Sequence, residues 1–177
     1  MLRNQLEAYL LKAFSVHYDI ETRESEYPLR ALCAFHSRDS QYVLVHSVEL
    51  WAAEHHEYLY LYSVEHLDLK TLEQIWQQLL SDGAPRVKPH AQHMYTYLTA
   101  IVLYDSADAE ALSALKKLKQ RREFKLSLHG WMESRIAAVD VSTAALTTNR
   151  AAKVLTRDFG GLVRRAISQC KERENKP

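Results

Sequence analysis

A stretch of alternating apolar and polar residues from Leu29 to His66 constrains the fold more than any other feature of this sequence. Alternation at period two is typical of β-strands, because successive side chains point to opposite faces of a sheet. Polar residues interrupt the pattern at 37–40 and again at 53–56, as they do in the turns of hairpins. The stretch therefore predicts a three-stranded meander whose last turn is at 53–56.

Segments with apolar residues at helical spacing lie on both sides of the meander. The first begins at Leu2 and ends near His17. The second follows Asp68, an expected N-cap, and ends before Gly83, an expected C′ residue. Because neither face of the third strand is polar throughout, a helix is expected to cover at least one face of the sheet.

The second half of the chain mixes the two patterns. Its predicted elements are a strand from Met94 to Tyr104, a helix capped by Ser106 or Asp108, strands at 124–128 and 135–141 separated by His129-Gly130-Trp131, a short strand through Leu146-Thr147, and a helix capped by Asn149 and weakened at Gly160-Gly161. The order predicts an α+β fold, with helices packed on a mostly antiparallel sheet. One domain is expected over residues 1–170, followed by a frayed tail at 171–177.

Composition narrows the class of protein. Hydrophobic residues make up 47% of the chain and charged residues 25%, which is typical of a globular domain rather than a disordered one. No apolar run approaches the roughly 20 residues of a membrane helix, and Glu7 comes too early for a signal peptide. Cys33 and Cys170 form no paired motif. A cytoplasmic protein without a membrane partner is expected.

The net charge of +1 conceals an asymmetry between the two halves of the chain. Residues 1–84 carry 6 basic and 13 acidic residues, a net charge of −7, whereas residues 85–177 carry 17 and 9, a net charge of +8. Within one compact fold, such opposite charges are expected to supply complementarity inside the molecule or between subunits.

Histidine clusters raise the question of a metal site. His55 and His56 are adjacent and predicted to lie in a solvated turn; on a strand they would face opposite sides. His90 and His93 have the spacing of one helical turn, but two ligands do not complete a site, and a third would have to come from Asp105, His129 or Asp140. Neither a metal nor another cofactor is therefore predicted.

The helix–strand–strand–strand–helix–strand order matches the core of many metal-dependent nucleases. That chemistry requires an acidic residue on one strand and Glu-x-Lys on the next, but the third strand here reads Glu57-Tyr58-Leu59. The sequence also lacks a glycine-rich phosphate loop and a nucleophile elbow. No catalytic residue is predicted.

Basic residues concentrate in two segments of the second half. One runs from Lys116 to Lys125, and the other comprises Arg150, Lys153, Arg157, Arg164 and Arg165. They would form a phosphate-binding surface if the two segments were neighbours, and otherwise they are solvated faces. Nucleic acid therefore stays possible as a partner without being favoured.

Tyrosines are concentrated in the predicted strands, at positions 42, 58, 60, 62, 95 and 97. Tyrosine combines a broad apolar ring with a polar tip and is enriched where surfaces meet. The rings either pack under helices with hydroxyls at the solvent edge or form a binding or dimer face. The sequence leaves both interpretations open.

Three blocks carry a resemblance to a known family: Val87-Lys88-Pro89-His90-Ala91-Gln92-His93-Met94, the stretch from His129-Gly130-Trp131 to Arg135 with Val139-Asp140, and Thr147-Thr148-Asn149-Arg150. The chain resembles an uncharacterised family of hypothetical proteins from clostridia-like bacteria. The resemblance implies a bacterial cytoplasmic protein and draws attention to its shared residues, without assigning a role to any.

The sequence thus favours a non-catalytic binding or assembly protein that self-associates, most simply as a homodimer. A nucleic-acid-binding or degenerate nuclease-like protein is the alternative, and a small-ligand-binding protein is a third. The candidate ligand-binding residues are His90, His93, Trp131, Arg135 and Asp140.

Overall fold

The computed structural model describes residues 2–23, 26–37 and 54–174. In these ranges the helices are α1 (Leu2–Phe14), α2 (Leu69–Gly83), α3 (Ala109–Lys117) and α4 (Leu155–Glu174). The strands are β1 (Asp19–Thr22), β2 (Leu29–Ser37), β3 (Glu54–Leu67), β4 (His93–Ala107), β5 (Arg121–Glu123), β6 (Trp131–Asp140) and β7 (Leu146–Thr148). Short 3₁₀ turns lie at Ala84–Arg86 and Ala151–Val154. The predicted α+β class is confirmed.

All the strands belong to one mixed sheet in the order β1-β2-β3-β4-β6-β5, and β7 also pairs with β6. Strands β1, β2 and β3 form the antiparallel part, whereas β3, β4 and β6 are parallel to one another. Strands β5 and β7 pair antiparallel to two successive parts of β6. Helix α2 lies in the connection from β3 to β4, and α3 lies in the connection from β4 to β6. Both crossover connections therefore place a helix against the sheet.

Each face of the sheet has its own apolar core. Helices α2 and α3 cover one face, where Ile75 and Leu79 pack on Tyr60 and Tyr62. Helices α1 and α4 cover the other face, where Leu6 and Leu10 pack on alternate residues of the same strands. The tyrosines of β3 therefore belong to the core, and the Tyr60 hydroxyl donates a hydrogen bond to the Asp82 carboxylate.

Of the two predictions about the ends of helix α2, the one at its start is confirmed and the one at its end is wrong. Asp68 caps the helix as predicted, because its Oδ1 accepts a hydrogen bond from the Thr71 backbone N–H at 2.7 Å. Gly83 is not a left-handed C′ residue: its φ is −78° and the chain continues into a 3₁₀ turn. Close packing explains the glycine instead, since a Cβ there would lie 2.9 Å from Leu98 Cδ1.

The predicted turn at 53–56 is wrong. β3 begins at Glu54, and His55 and His56 pair with Tyr95 and Thr96 of β4. Polar side chains can occupy this strand because they are only half-buried at its start. In the structure the three antiparallel strands are β1, β2 and β3, and β1 lacks the alternating apolar pattern of the other two. The predicted middle strand, between residues 40 and 53, lies outside the described residues.

The predicted strand at 124–128 is also wrong. β5 ends at Glu123, and Lys125, Leu126 and Ser127 all have left-handed backbone conformations, with φ of 47°, 53° and 67°. Hydrogen bonds from Phe124 N to Gly130 O and from His129 N to Phe124 O close this turn. Alternation alone could not distinguish a strand from a turn that is held by its own closing bonds.

Helix ends differ from the predicted ones by a few residues. α1 ends at Phe14 rather than near His17, and α4 runs through Gly160-Gly161 and on to Glu174, into the predicted tail. Asp108 occupies the N-cap position of α3 but makes no capping bond there, because its carboxylate contacts the His66 ring at 3.1 Å. Asn149 lies one residue before the N-cap of the 3₁₀ turn that leads into α4, and its Oδ1 accepts from Ala152 N in that turn at 3.0 Å.

Gly130 is the glycine that the fold constrains most. It has a φ of 71°, and a Cβ on it would overlap the carbonyl oxygens of His93 and Met94. The backbone can therefore pass this close to β4 only without a side chain. Gly161, in contrast, lies within α4, where a Cβ would meet only the end of the Arg165 side chain at 3.7 Å.

We expect Gly130→Ala to lower the free energy of unfolding by about 2 kcal/mol or more, through strain and overlap with backbone. Gly161→Ala is the matched control, and it should raise stability by about 0.5–1 kcal/mol because alanine favours a helix interior. Urea denaturation of both variants measures the difference. Equal stabilities would contradict the close approach of residues 93, 94 and 130.

Candidate binding face

The face of the sheet beneath α1 and α4 continues beyond the core that these helices form. At the end where the parallel strands begin, it carries the rings of Phe35, His55, Tyr95, Tyr97 and Trp131, which are half-buried and lie outside that core. The charged residues Glu57, Arg121, Glu133 and Arg135 lie among them. We call these nine residues the open aromatic face.

Three rings of this face form a ladder across neighbouring strands. His55, Tyr95 and Trp131 occupy one register row, with ring centroids 5.4 Å and 5.3 Å apart and interplanar angles of 27° and 24°. The Arg121 guanidinium extends the row, 4.1 Å from the Trp131 ring. Stacked rings occupy one another's faces, so the ladder has mainly ring edges left for contact.

Toward the helices, the next row on this face pairs Tyr97 with Glu133, and the row after it pairs Thr99 with Arg135. The Arg135 guanidinium carbon lies 3.1 Å from the centroid of the Tyr97 ring, and Trp131 meets the same ring edge-on at 5.4 Å. The Nε of Arg135 is buried and has no hydrogen-bond partner among the described residues. A buried donor without a partner is unfavourable by roughly 1–3 kcal/mol. Among the described residues this guanidinium forms no ion pair with a carboxylate, and its contact is with the Tyr97 ring.

Glu57, the carboxylate of the face on β3, is held by hydroxyl groups. Its Oε2 accepts from the Tyr18 hydroxyl at 2.7 Å, and its Oε1 accepts from Thr99 Oγ1 at 2.7 Å. Burial, and then the neighbouring Glu57 charge, raise the pKa of Tyr18 well above its usual range. Among the described residues no ion pair joins Glu57 to Arg135, so Glu57 does not neutralise the guanidinium.

An apolar turn projects from the same end of the sheet, directly before Trp131. Leu126 is 94% exposed and Leu128 76% exposed, although leucine is usually buried. Non-glycine residues in the left-handed conformation are strained by roughly 1–2 kcal/mol each. We call residues 125–128 the apolar tip. Exposed apolar side chains on a strained turn often mark an interaction site.

The structure separates the five residues that the sequence nominated as a ligand site. Trp131 and Arg135 lie together on the open aromatic face. His93 lies on the opposite face, where its ring stacks with His56 at 6.4 Å, and His90 lies beside it. Asp140 ends β6, nine residues after Trp131, which corresponds to about 30 Å of strand. The five therefore do not form a single pocket.

The His93 side chain bonds to the backbone of the turn before β6 and to a neighbouring residue of β4. Its ring is buried, Nδ1 lies 2.7 Å from the His129 carbonyl oxygen, and Nε2 lies 2.8 Å from Thr96 Oγ1. A carbonyl can only accept, so Nδ1 donates this hydrogen bond, while Nε2 is bonded to the Thr96 hydroxyl. These bonds hold the Gly130 turn against β4.

Asp140 closes the turn between β6 and β7. Its Oδ1 accepts from Ser142 N at 2.8 Å, Ser142 Oγ at 2.6 Å and Thr143 N at 3.2 Å. Partial burial acts to raise the pKa of Asp140, but these hydrogen bonds outweigh it and hold the pKa below its usual range. The carboxylate thus performs a structural role typical of aspartate in turns.

The order α1-β1-β2-β3-α2-β4 is the one that the sequence analysis compared with metal-dependent nucleases. Strand β2 contains no acidic residue, and the buried Leu59 follows Glu57 where that chemistry needs lysine. In the part of the chain that the structure describes, no three His, Cys, Asp or Glu side chains form a group that could hold a metal ion.

Sequence reasoning singled out Trp131 and Arg135 but missed the ladder that joins them to β3 and β5. His55 was predicted to lie in a turn, and Arg121 was considered only as part of a basic run. Tyr95 and Tyr97 did give a signal, because both fall on the same face of a predicted strand. Only the register between strands shows that His55, Tyr95 and Trp131 share a row.

Residues 3–160 match the family described as Domain of unknown function (DUF8052). The chain belongs to this family. The DUF8052 match contains every residue of the open aromatic face and the apolar tip, and it ends within α4. The predicted membership of an uncharacterised family is confirmed, while an origin in clostridia-like bacteria stays a prediction. No curated protein and no solved structure matches the chain.

None of the described helices is both long enough and apolar enough to cross a membrane. α4 is the longest at 20 residues, and charged residues occur throughout it.

We expect Asp140→Ala to lower the free energy of unfolding at pH 7 by about 1 kcal/mol, because the turn loses its hydrogen-bond acceptor. The folded pKa lies below the unfolded value of about 3.9, so this stabilisation is present above that pH and is lost as the pH falls through the folded pKa. Urea denaturation at about pH 7 and pH 3 checks the trend. A difference between variant and wild type that does not shrink at low pH would count against the prediction.

Proposed function

We propose that this DUF8052 protein is a cytoplasmic binding and assembly protein that self-associates as a homodimer through the open aromatic face. One observation carries the proposal: a ladder of half-buried rings lies outside the helix-covered core and presents ring edges. Tyrosine and tryptophan provide large, rigid contact area at low entropic cost, which is why they are enriched in protein interfaces.

The ladder geometry favours a protein partner over a planar ligand. A nucleobase or other flat ring binds by stacking on an open aromatic face. Here Trp131 is flanked by Tyr95 and by the Arg121 guanidinium, and Tyr97 is stacked by Arg135. Side chains of a second protein surface can pack on ring edges without displacing these contacts.

The charges of the face favour a second copy of the chain as that partner. Arg135 and Glu133 are two residues apart on β6, so both side chains lie on the same face. In a two-fold dimer the same patch meets itself, which lets Arg135 of each copy face Glu133 of the other. Such a pair would give the Arg135 guanidinium a carboxylate partner, which it lacks among the described residues.

The apolar tip adds to the surface that a dimer would bury. It precedes Trp131 directly, and Met94, at the start of β4, is also half-exposed, with its carbonyl oxygen against Gly130. Burial of apolar surface contributes roughly 25 cal/mol per Å² to association. A stable homodimer would bury about 800 Å² or more on each copy.

Light scattering over a concentration series tests the homodimer directly. We expect a dimeric mass at micromolar concentration, and Trp131→Ala should weaken association by at least about tenfold because the ladder loses its largest ring. Tyr27→Ala is the matched control, since Tyr27 is an exposed ring outside the face and its removal should leave the mass unchanged. A monomeric wild-type protein across the series would refute the proposal.

A charge exchange tests the proposed contact between copies. Arg135→Glu and Glu133→Arg should each weaken the dimer by about tenfold, because each places like charges opposite one another. The double variant restores opposite charges and should recover most of the lost affinity. Circular dichroism and urea denaturation of all three variants establish that they fold. If the double variant loses as much dimerisation affinity as the two single variants together, the dimer contact lies elsewhere.

A further inference from the structure

Six exposed basic residues line the edge of the sheet that carries β5 and β7. They are Lys116, Lys117, Lys119, Arg122, Arg150 and Lys153, and we call them the basic rim. The first two end α3, the third lies between α3 and β5, the fourth lies in β5, and the last two belong to the turn that precedes α4. They come from the two basic segments that are separated by about 25 residues in the sequence.

Asn149 brings these two segments together. Its amide nitrogen donates to the carbonyl oxygens of Leu118 at 3.1 Å and Ser134 at 3.2 Å. Its oxygen accepts from Ile136 N at 3.2 Å and Ala152 N at 3.0 Å. This buried side chain therefore ties the chain after α3 to the turn before α4, and Lys117 and Lys119 lie next to the segment that carries Arg150 and Lys153.

The six side chains of the rim are exposed to solvent. Among the described residues, none of the six side chains forms an ion pair with a carboxylate. Arg121, which faces the other side of β5, is different, because it stacks on Trp131 and lies 3.7 Å from Glu123. An exposed, unpaired group of like charges is a surface to which a polyanion binds.

We propose that the basic rim binds the phosphate backbone of a nucleic acid without reading its sequence. Lys119 and Arg122 lie on the extended chain that follows β6, whereas Lys116 and Lys117 end α3 and Arg150 and Lys153 lie at the turn before α4. The six cations therefore come from neighbouring segments along one edge of the sheet. Lys and Arg side chains bind phosphate oxygens by charge and hydrogen bonding, and such contacts carry no sequence information by themselves.

The surroundings of the rim favour a backbone contact over base recognition and over a lipid surface. The stacked rings of the open aromatic face leave little ring face for bases, and Phe124 is covered by the Arg122 guanidinium at 5.4 Å. A lipid surface would require cations spread over a flat face, and those of the rim follow an edge. The site is independent of the homodimer proposed above.

Fluorescence anisotropy with a labelled DNA duplex of about 20 base pairs and a single strand of equal length tests the proposal on the full chain. We expect micromolar binding of both probes at about 50 mM salt, weakened at least tenfold at about 200 mM. Replacing Lys116, Lys117 and Lys119 with Gln should weaken binding by at least about tenfold. The slope of log K against log salt concentration should also fall, by the amount expected for the loss of two or three phosphate contacts.

The matched control is a second triple variant with the same change in charge, Lys12→Gln with Lys70→Gln and Lys88→Gln, at exposed lysines outside the rim. It should bind like the wild type. Arg150→Gln with Lys153→Gln tests the second segment and should also weaken both probes, because Asn149 places it on the same rim.

Three results would overturn the proposal. The first is the absence of salt-dependent binding to either probe. The second is an equal loss in both triple variants, which would indicate attraction by overall charge. The third is equal or tighter binding to poly-glutamate, or to vesicles of phosphatidylglycerol and phosphatidylcholine, at the same ionic strength. A monomeric mass in the light-scattering series would contradict the homodimer but not the binding of nucleic acid by the basic rim.

Discussion

The parallel pairing of β4 with β3 on one side and β6 on the other is the interaction on which the rest of the structure depends. It aligns the residues of three strands in common rows, with 13 residue pairs between β3 and β4 and 10 between β4 and β6. Apolar rows lie under α1 and α4 toward the ends of the strands, and aromatic rows lie at their beginnings. The boundary between core and open aromatic face is thus set by how far the helices extend along one continuous sheet.

The turn between β5 and β6 depends on that pairing as well. The buried His93 ring joins β4 to the His129 carbonyl, and Gly130 passes β4 where a side chain would not fit. Held in this way, three preceding residues adopt left-handed conformations and present Leu126 and Leu128 to solvent. Strain of this kind persists only where the surrounding structure fixes it, which links the buried histidine to the apolar tip.

The open aromatic face and the basic rim give the molecule two surfaces of different character. The face contains both signs of charge among stacked rings, which suits a self-complementary contact, whereas the rim carries unpaired positive charge along an edge. Arg121 and Arg122 mark the division, because adjacent strand residues point to opposite faces. One stacks on Trp131 of the open face, and the other on Phe124.

Local patterns determined the helices, the α+β class and the N-cap at Asp68, because hydrophobic periodicity and capping act within a few residues. They also marked Tyr95, Tyr97, Trp131 and Arg135 as candidates. Only the tertiary structure decided that β3 starts at Glu54 and that residues 125–127 form a turn. It also decided that the side chains of His93 and Asp140 form hydrogen bonds to the backbone of turns. These outcomes depend on strand register and on hydrogen bonds between residues such as His93 and His129, distant in the chain. Separations of that kind leave no local pattern in a sequence.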